Sequence, residues 1–281
     1  MRRILFVFAT LLVGCGRAPA DRGVVVTEGV ARLSLEVRGN GTDLIPVSVL
    51  FPADSEGRPS SRNNPAVVYI QGGAVSPSRY EWQGVELAKR GYVVVYPRHQ
   101  LDLAFFAIDN GQAARQALSK GEPGSALEGL VDGARVAVAG HSLGGVVTMK
   151  LALQGGFQAA VVQASFQDMA DNAKVPGLTI PTLYLAGQGD CQAKEAQVRE
   201  GWATVPAPSA LVVLEQVTHY QFTDSQAEDE KKGCPVPLDL SVAHERVMQA
   251  MTAFLSAALA SPASVGETAL RAVPSSLVEV R

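Results

Sequence analysis

Basic clusters are missing from this chain. Its 24 Lys and Arg residues are scattered through 281 positions, the formal net charge is −3, and no basic stripe appears, which argues against nucleic acid as a partner. Long apolar runs are missing too. The apolar stretch at the N-terminus, Ile4 to Val13, is too short to span a bilayer. Cysteine and histidine are scarce, with three and four copies, and they form no cluster with metal-ligand spacing. No metal or organic cofactor is therefore implied. Internal repeats and low-complexity tracts are also lacking. What remains is 47% hydrophobic and 18% charged, a composition suited to one large globular domain with a substantial core.

The N-terminus carries its own pattern. A short basic segment, Met1-Arg2-Arg3, precedes the apolar run, which closes on "LVGC", Leu12 to Cys15. This resembles the lipobox of bacterial lipoproteins: an aliphatic residue at −3, a small one at −1, then cysteine. The resemblance implies a signal peptide over 1–14, lipid on Cys15, and a tether over 15–23. It places the protein in a bacterial cell envelope, lipid-anchored to a membrane on the exported side. If Cys15 carries lipid, Cys191 and Cys234 remain, and two cysteines in an oxidising compartment suggest one disulfide.

Two kinds of pattern follow. From Val24 to Phe51, segments such as "ARLSLEV" and "PVSVLF" alternate like antiparallel strands with one solvated face. "PADSEGRPSSRNNP" is a polar, turn-rich loop. Beyond it, β-branched runs (66–70, 92–97, 135–140, 159–166, 181–187, 210–217) alternate with helical patterns near 80–91, 104–120, 143–154 and 191–203. A last helix places Val247, Met248, Met251, Phe254, Leu255, Ala258 and Leu259 on one face. Such alternation predicts an α/β fold with a mostly parallel sheet covered on both faces, spanning residues 24–260. Residues 261–281 show no clear pattern. Ligands in such sheets bind beyond the carboxyl ends of the strands, so functional residues should follow strands directly.

Gly140-His141-Ser142-Leu143-Gly144 meets that condition. G-x-S-x-G is weak alone, but here it sits between a strand and a helix. Glycines two residues either side let strand and helix cross closely, so that the hydroxyl of Ser142 is presented as a nucleophile. A serine hydroxyl needs a base and an orienting carboxylate. His219, directly after "ALVVLEQV", is the best base; His99 could line the cleft or cap a turn, His244 suits a helix surface, and His141 lies inside the turn with a local packing role. Asp190 closes "PTLYLAGQGD" as the candidate acid, with Asp168 in "ASFQD" as competitor. Oxyanion donors are expected from the backbone N–H of Leu143 and from the loop "QGGAVSPS". That loop looks like the His-Gly-x loop of lipases and esterases with Gln71 in place of His; Gly73 matches the donor position, with Ala74 the alternative.

"YIQGGA", "GHSLGG", "LYLAGQGD" and "QVTHYQF" together resemble the α/β-hydrolase superfamily, nearest the dienelactone hydrolase, chlorophyllase and polyester-hydrolase group. The resemblance covers roughly residues 30–260. It implies an eight-stranded, mostly parallel sheet and hydrolysis of carboxylic esters through an acyl-enzyme, with a small-molecule or lipid-like ester as substrate. Residues 167–180 leave no room for a lid domain. Tyr80, Trp82, Trp202, Tyr220 and Phe222 could line an open cleft or simply pack the core. A serine peptidase or amidase on the same scaffold, and a non-catalytic binding protein that retains it, are the alternatives. If the acid and base loops meet, a Cys191–Cys234 bridge would tie them together.

Overall fold

The structure, a computed structural model, describes residues 23–39, 44–98, 107–121, 127–235 and 238–281. The proposed signal peptide, tether and Cys15, except for Gly23, lie outside these residues, as does His99.

Ten strands form one mixed sheet among the described residues: β1 (Val24–Thr27), β2 (Val30–Arg38), β3 (Leu44–Pro52), β4 (Asn64–Ile70), β5 (Val93–Pro97), β6 (Val131–His141), β7 (Ala159–Gln163), β8 (Thr182–Gly187), β9 (Ser209–Leu214) and β10 (Ser275–Val280). The spatial order is β1-β2-β3-β5-β4-β6-β7-β8-β9-β10. From β5 to β9 all neighbours run parallel; β1, β2 and β3 at one edge and β10 at the other are antiparallel. The strand order reverses at β4 and β6, since β4 leads on to β5 on one side and β6 to β7 on the other. A crevice opens at such a reversal, beyond the carboxyl ends of the two strands.

Every residue of β5, β7, β8 and β9 is buried, which is why these strands read as continuous Val, Ala and Leu runs rather than as alternation. The helices are α1 (Glu81–Lys89), α2 (Ala107–Lys120), α3 (Leu143–Gln154), α4 (Glu195–Ala203), α5 (Ala227–Lys231), α6 (Leu240–Ala258) and α7 (Glu267–Leu270). Helix α1 packs on β3, β5 and α6, and α2 packs on α3. Helix α3 is apolar nearly all round and buries Gly144, Gly145, Val147, Thr148, Met149, Leu151 and Ala152, as expected of a central helix. On α6 the stripe Val247, Met248, Met251, Phe254, Leu255 and Ala258 faces the core.

Two features depart from the sequence reading. The sheet has ten strands where the resemblance implies eight, because β1 and β10 extend its edges. Strand β10 is drawn from the stretch without a readable pattern, and it pairs with β9 through Leu277↔Val213 and Glu279↔Leu211. The expected solvated face of the N-terminal strands is also partial. Leu44 and Pro46 alternate with buried Ile45 and Val47, but β3 is buried throughout from Val47 onward, where it lies beside β5 and beneath α1.

Candidate active site

Ser142 lies between β6 and α3, at the N-cap of α3, with φ +56° and ψ −126°, a conformation costly for a residue with a Cβ. Close packing holds it there. A Cβ on Gly140 would lie 2.4 Å from the Gly144 carbonyl oxygen, and one on Gly144 would lie 2.3 Å from that of Ile70 and 2.4 Å from that of Gln71. Only glycine fits between crossing backbones at these two positions. The turn is anchored across the sheet by the Ser142 N–H, which donates to Gln163 O at 2.9 Å.

The structure brings the two other candidates to this serine. His219 opens the single 3-10 turn His219–Phe222 that follows β9, and Asp190 lies in the turn after β8. Nε2 of His219 is 3.1 Å from Ser142 Oγ, and its Nδ1 is 2.8 Å from Asp190 Oδ2. An ionised carboxylate can only accept, so Nδ1 carries the proton and Nε2 is free to accept from the serine hydroxyl. The other carboxylate oxygen, Oδ1, accepts the N–H groups of Gln192 at 2.8 Å and Ala193 at 2.9 Å, which fixes the orientation of Asp190. His219 and Asp190 are 4% and 6% exposed, so their interaction is little screened by solvent, while Ser142 is half-buried at the crevice.

The loops that carry Asp190 and His219 are joined by further links. Gly189 N–H donates to Val217 O at 2.9 Å, and Cys191 is disulfide-bonded to Cys234 with a Cα–Cα distance of 5.7 Å.

On the other side of Ser142, Gly73 lies against Leu143: a Cβ on Gly73 would come 2.9 Å from Leu143 Cδ2. Leu143 is the first residue of α3, where a backbone N–H has no intrahelical acceptor and the helix dipole favours negative charge. Ala74 takes φ +57° and is exposed. The side-chain amide of Gln71 is buried and unpaired. Tyr80 steadies this loop, since its Oη accepts from Gly72 N–H at 3.0 Å and donates to His141 Nδ1 at 2.9 Å. His141 is fully buried, with its ring centroid 4.6 Å from that of His219. Burial, and then the neighbouring His219, push its pKa well below the ordinary histidine value, so it stays neutral.

The competing residues are occupied elsewhere. Asp168 is exposed, caps the turn Met169–Asp171 through Ala170 N–H, and pairs with Lys150 at 3.0 Å. His244 is half-buried rather than a surface residue: it stacks on Trp82 with ring centroids 3.5 Å apart and donates to Thr223 O. Tyr80, Trp202 and Phe222 belong to the core, and Tyr220 lies edge-on to His219, part-exposed.

Sequence reasoning passed over two buried groups. Gln83 donates to Phe222 O at 2.8 Å and shares a network with Tyr69 and Gln163 beneath the His219 turn. Asp229 accepts from both neighbours of His219. Neither has a local signal, because each is defined by contacts that the fold creates.

The profile of the PET hydrolase-like family matches residues 26–231. The chain belongs to this family. Among curated proteins it is similar to the bis(hydroxyethyl) terephthalate hydrolase of Streptomyces coelicolor, with 24% identity over 261 residues, covering 79% of this chain and 77% of the relative. The fold is thus that of an α/β-hydrolase, and the protein is a carboxylic ester hydrolase.

Proposed function

We propose that Ser142, His219 and Asp190 are the catalytic triad of a serine esterase working through an acyl-enzyme. The observation that carries this reading is the unbroken chain Ser142 Oγ to His219 Nε2, and His219 Nδ1 to Asp190 Oδ2, at the strand-order reversal. His219 takes the proton of Ser142 as Oγ attacks the ester carbonyl, and returns it to the departing alkoxide, which leaves as the alcohol. A water molecule, deprotonated by the same imidazole, then releases the acid. Asp190 keeps the ring in the reactive tautomer and stabilises the imidazolium. The N–H groups of Leu143 and Gly73 are the proposed oxyanion donors.

The relative's name makes hydroxyalkyl esters of an aromatic diacid the first substrates to test. The lipobox-like "LVGC" supports a lipid-anchored enzyme on the exported side of a bacterial membrane, and mass spectrometry of the native N-terminal peptide checks this by the presence of lipid on Cys15. The triad is tested by fluorophosphonate labelling and ester turnover. Wild type should label at Ser142, and Ser142→Ala should lose labelling and on the order of 10⁴-fold in turnover while remaining folded. Ester hydrolysis by Ser142→Ala at the wild-type rate would remove the assignment.

A further inference from the structure

Behind the proposed base turn lies a second carboxylate that the mechanism above does not use. Asp229, in the middle of α5, is completely buried. One oxygen, Oδ2, accepts the hydroxyl of Thr218 at 2.9 Å and the N–H of Tyr220 at 2.6 Å. These are the residues immediately before and after His219. The second oxygen, Oδ1, is buried with no hydrogen-bond partner. A surface acidic residue would keep both oxygens in water; this one is withdrawn from solvent and spends its accepting capacity on the two flanks of a single residue.

The carbonyl oxygen of Asp229 is also engaged, accepting from Cys234 N–H at 2.9 Å. Cys234 is bonded to Cys191, which adjoins Asp190, and Asp190 holds the imidazole. A closed circuit results: Asp190 to His219 through the ring, His219 to Asp229 through the backbone on either side, and Asp229 back to Asp190 through the disulfide. Asp190 orients the ring about its own bonds but does not determine where the backbone of residue 219 sits. Asp229 does that, because a carboxylate oxygen bonded to residues 218 and 220 resists displacement of the segment between them.

We propose that Asp229 is a positioning residue, a backbone clamp that holds His219 within reach of Ser142. This rests on the triad reading above. The clamp requires an acceptor at the Oδ2 position, which an asparagine carbonyl oxygen can supply and an aliphatic side chain cannot. The side-chain acceptor, rather than general packing of α5, is thus what the variants separate.

The experiment compares Asp229→Leu, Asp229→Asn and Thr218→Val with wild type and Ser142→Ala. It measures kcat and KM on a soluble aryl ester, the second-order rate of fluorophosphonate labelling, and the melting temperature. A misplacement near 1 Å of a catalytic group can cost about 10²-fold, so Asp229→Leu should lower kcat and the labelling rate by about 10- to 100-fold. KM should stay nearly unchanged, because the clamp does not touch substrate. Asp229→Asn should recover most of the loss, and Thr218→Val, which removes one of the two bonds, should fall between. A folded Asp229→Leu with wild-type kcat, or a loss confined to KM, overturns the proposal. So does a folded Asp229→Asn as slow as the leucine variant. If Asp229→Leu fails to fold, Thr218→Val carries the test, and wild-type kcat and labelling in that variant overturn the clamp. Activity surviving in Ser142→Ala would instead overturn the triad itself, so the two failures are distinct.

Discussion

Removing the Cys191–Cys234 bridge is the perturbation whose size follows most directly from the structure. The bond closes a segment of 43 positions that contains α4, β9, the base turn and α5. In the chain-entropy treatment, closing a loop of that length lowers the entropy of the unfolded chain enough to stabilise the fold by about 4 kcal/mol at 25 °C. For a domain of this size each kcal/mol moves the melting temperature by about 2–4 °C, so loss of the bond should lower it by about 8–16 °C. The substitutions should match their surroundings: Cys191→Ser at the exposed end and Cys234→Ala at the buried end, so that no hydroxyl is buried. Asp190 should stay oriented, because the N–H groups of Gln192 and Ala193 hold it without help from the bridge. The double variant is therefore expected to retain much of its activity at 25 °C and to lose it on warming well before wild type does. Calorimetry of the oxidised wild type, the reduced wild type and the double variant, with ester turnover measured across the same range, checks both parts. A double variant melting within about 3 °C of the oxidised protein would refute the reasoning, since the loop would then gain nothing from closure.

Three further outcomes are expected. Gly144→Ala forces a methyl group against the carbonyl oxygens of Ile70 and Gln71, so it should cost about 1–3 kcal/mol by denaturant titration and depress ester turnover more than stability, because α3 carries Leu143 and is pushed away from the Gly73 loop; unchanged turnover would contradict this. Asp190→Asn should lower kcat by about 10⁴-fold through the wrong histidine tautomer, whereas Asp168→Asn, which merely loosens an exposed pairing with Lys150, should leave it near wild type; the reverse ranking in a kinetic comparison would exchange their roles. Burial holds His141 neutral in the folded state, while the unfolded chain takes up a proton below about pH 6.5. The unfolded state then binds more protons, so stability falls as pH drops from about 6.5 toward the depressed folded value, by up to about 1.4 kcal/mol per pH unit. Melting curves between pH 7.5 and 5 should accordingly show a shallower decline in His141→Asn than in wild type, and equal slopes would count against a neutral buried imidazole.

Much of this molecule is legible locally. Continuous apolar runs such as "RVAVAG" and "PTLYLAG" suit strands covered on both faces, and their alternation with helical patterns makes the parallel sheet legible in the sequence. The crossing of β6 and α3 likewise follows from Gly140 and Gly144, because the steric demand lies within five consecutive residues. His219 and Asp190 stand out because each lies in the loop that follows a strand, and in an open parallel sheet those ends converge.

Tertiary structure decided matters that depend on partners far apart in the chain. Nothing in "SSLVEV" distinguishes a strand from a tail; Ser275–Val280 is a strand because the edge of β9 offers unpaired backbone groups. Asp168 and Asp190 both lie in loops after strands; the fold leaves Asp168 exposed beside Lys150 and buries Asp190 against the ring of His219. Asp229 stands in "AEDEKK", which reads as a solvated acidic face, and its burial comes from the fold that lays α5 against the base turn. Periodicity and steric fit are properties of neighbours in sequence, so the sequence by itself determined the parallel strands and the elbow turn. The desolvation and pairing of a charge depend on which distant groups the fold brings alongside it, and that only the tertiary structure decided.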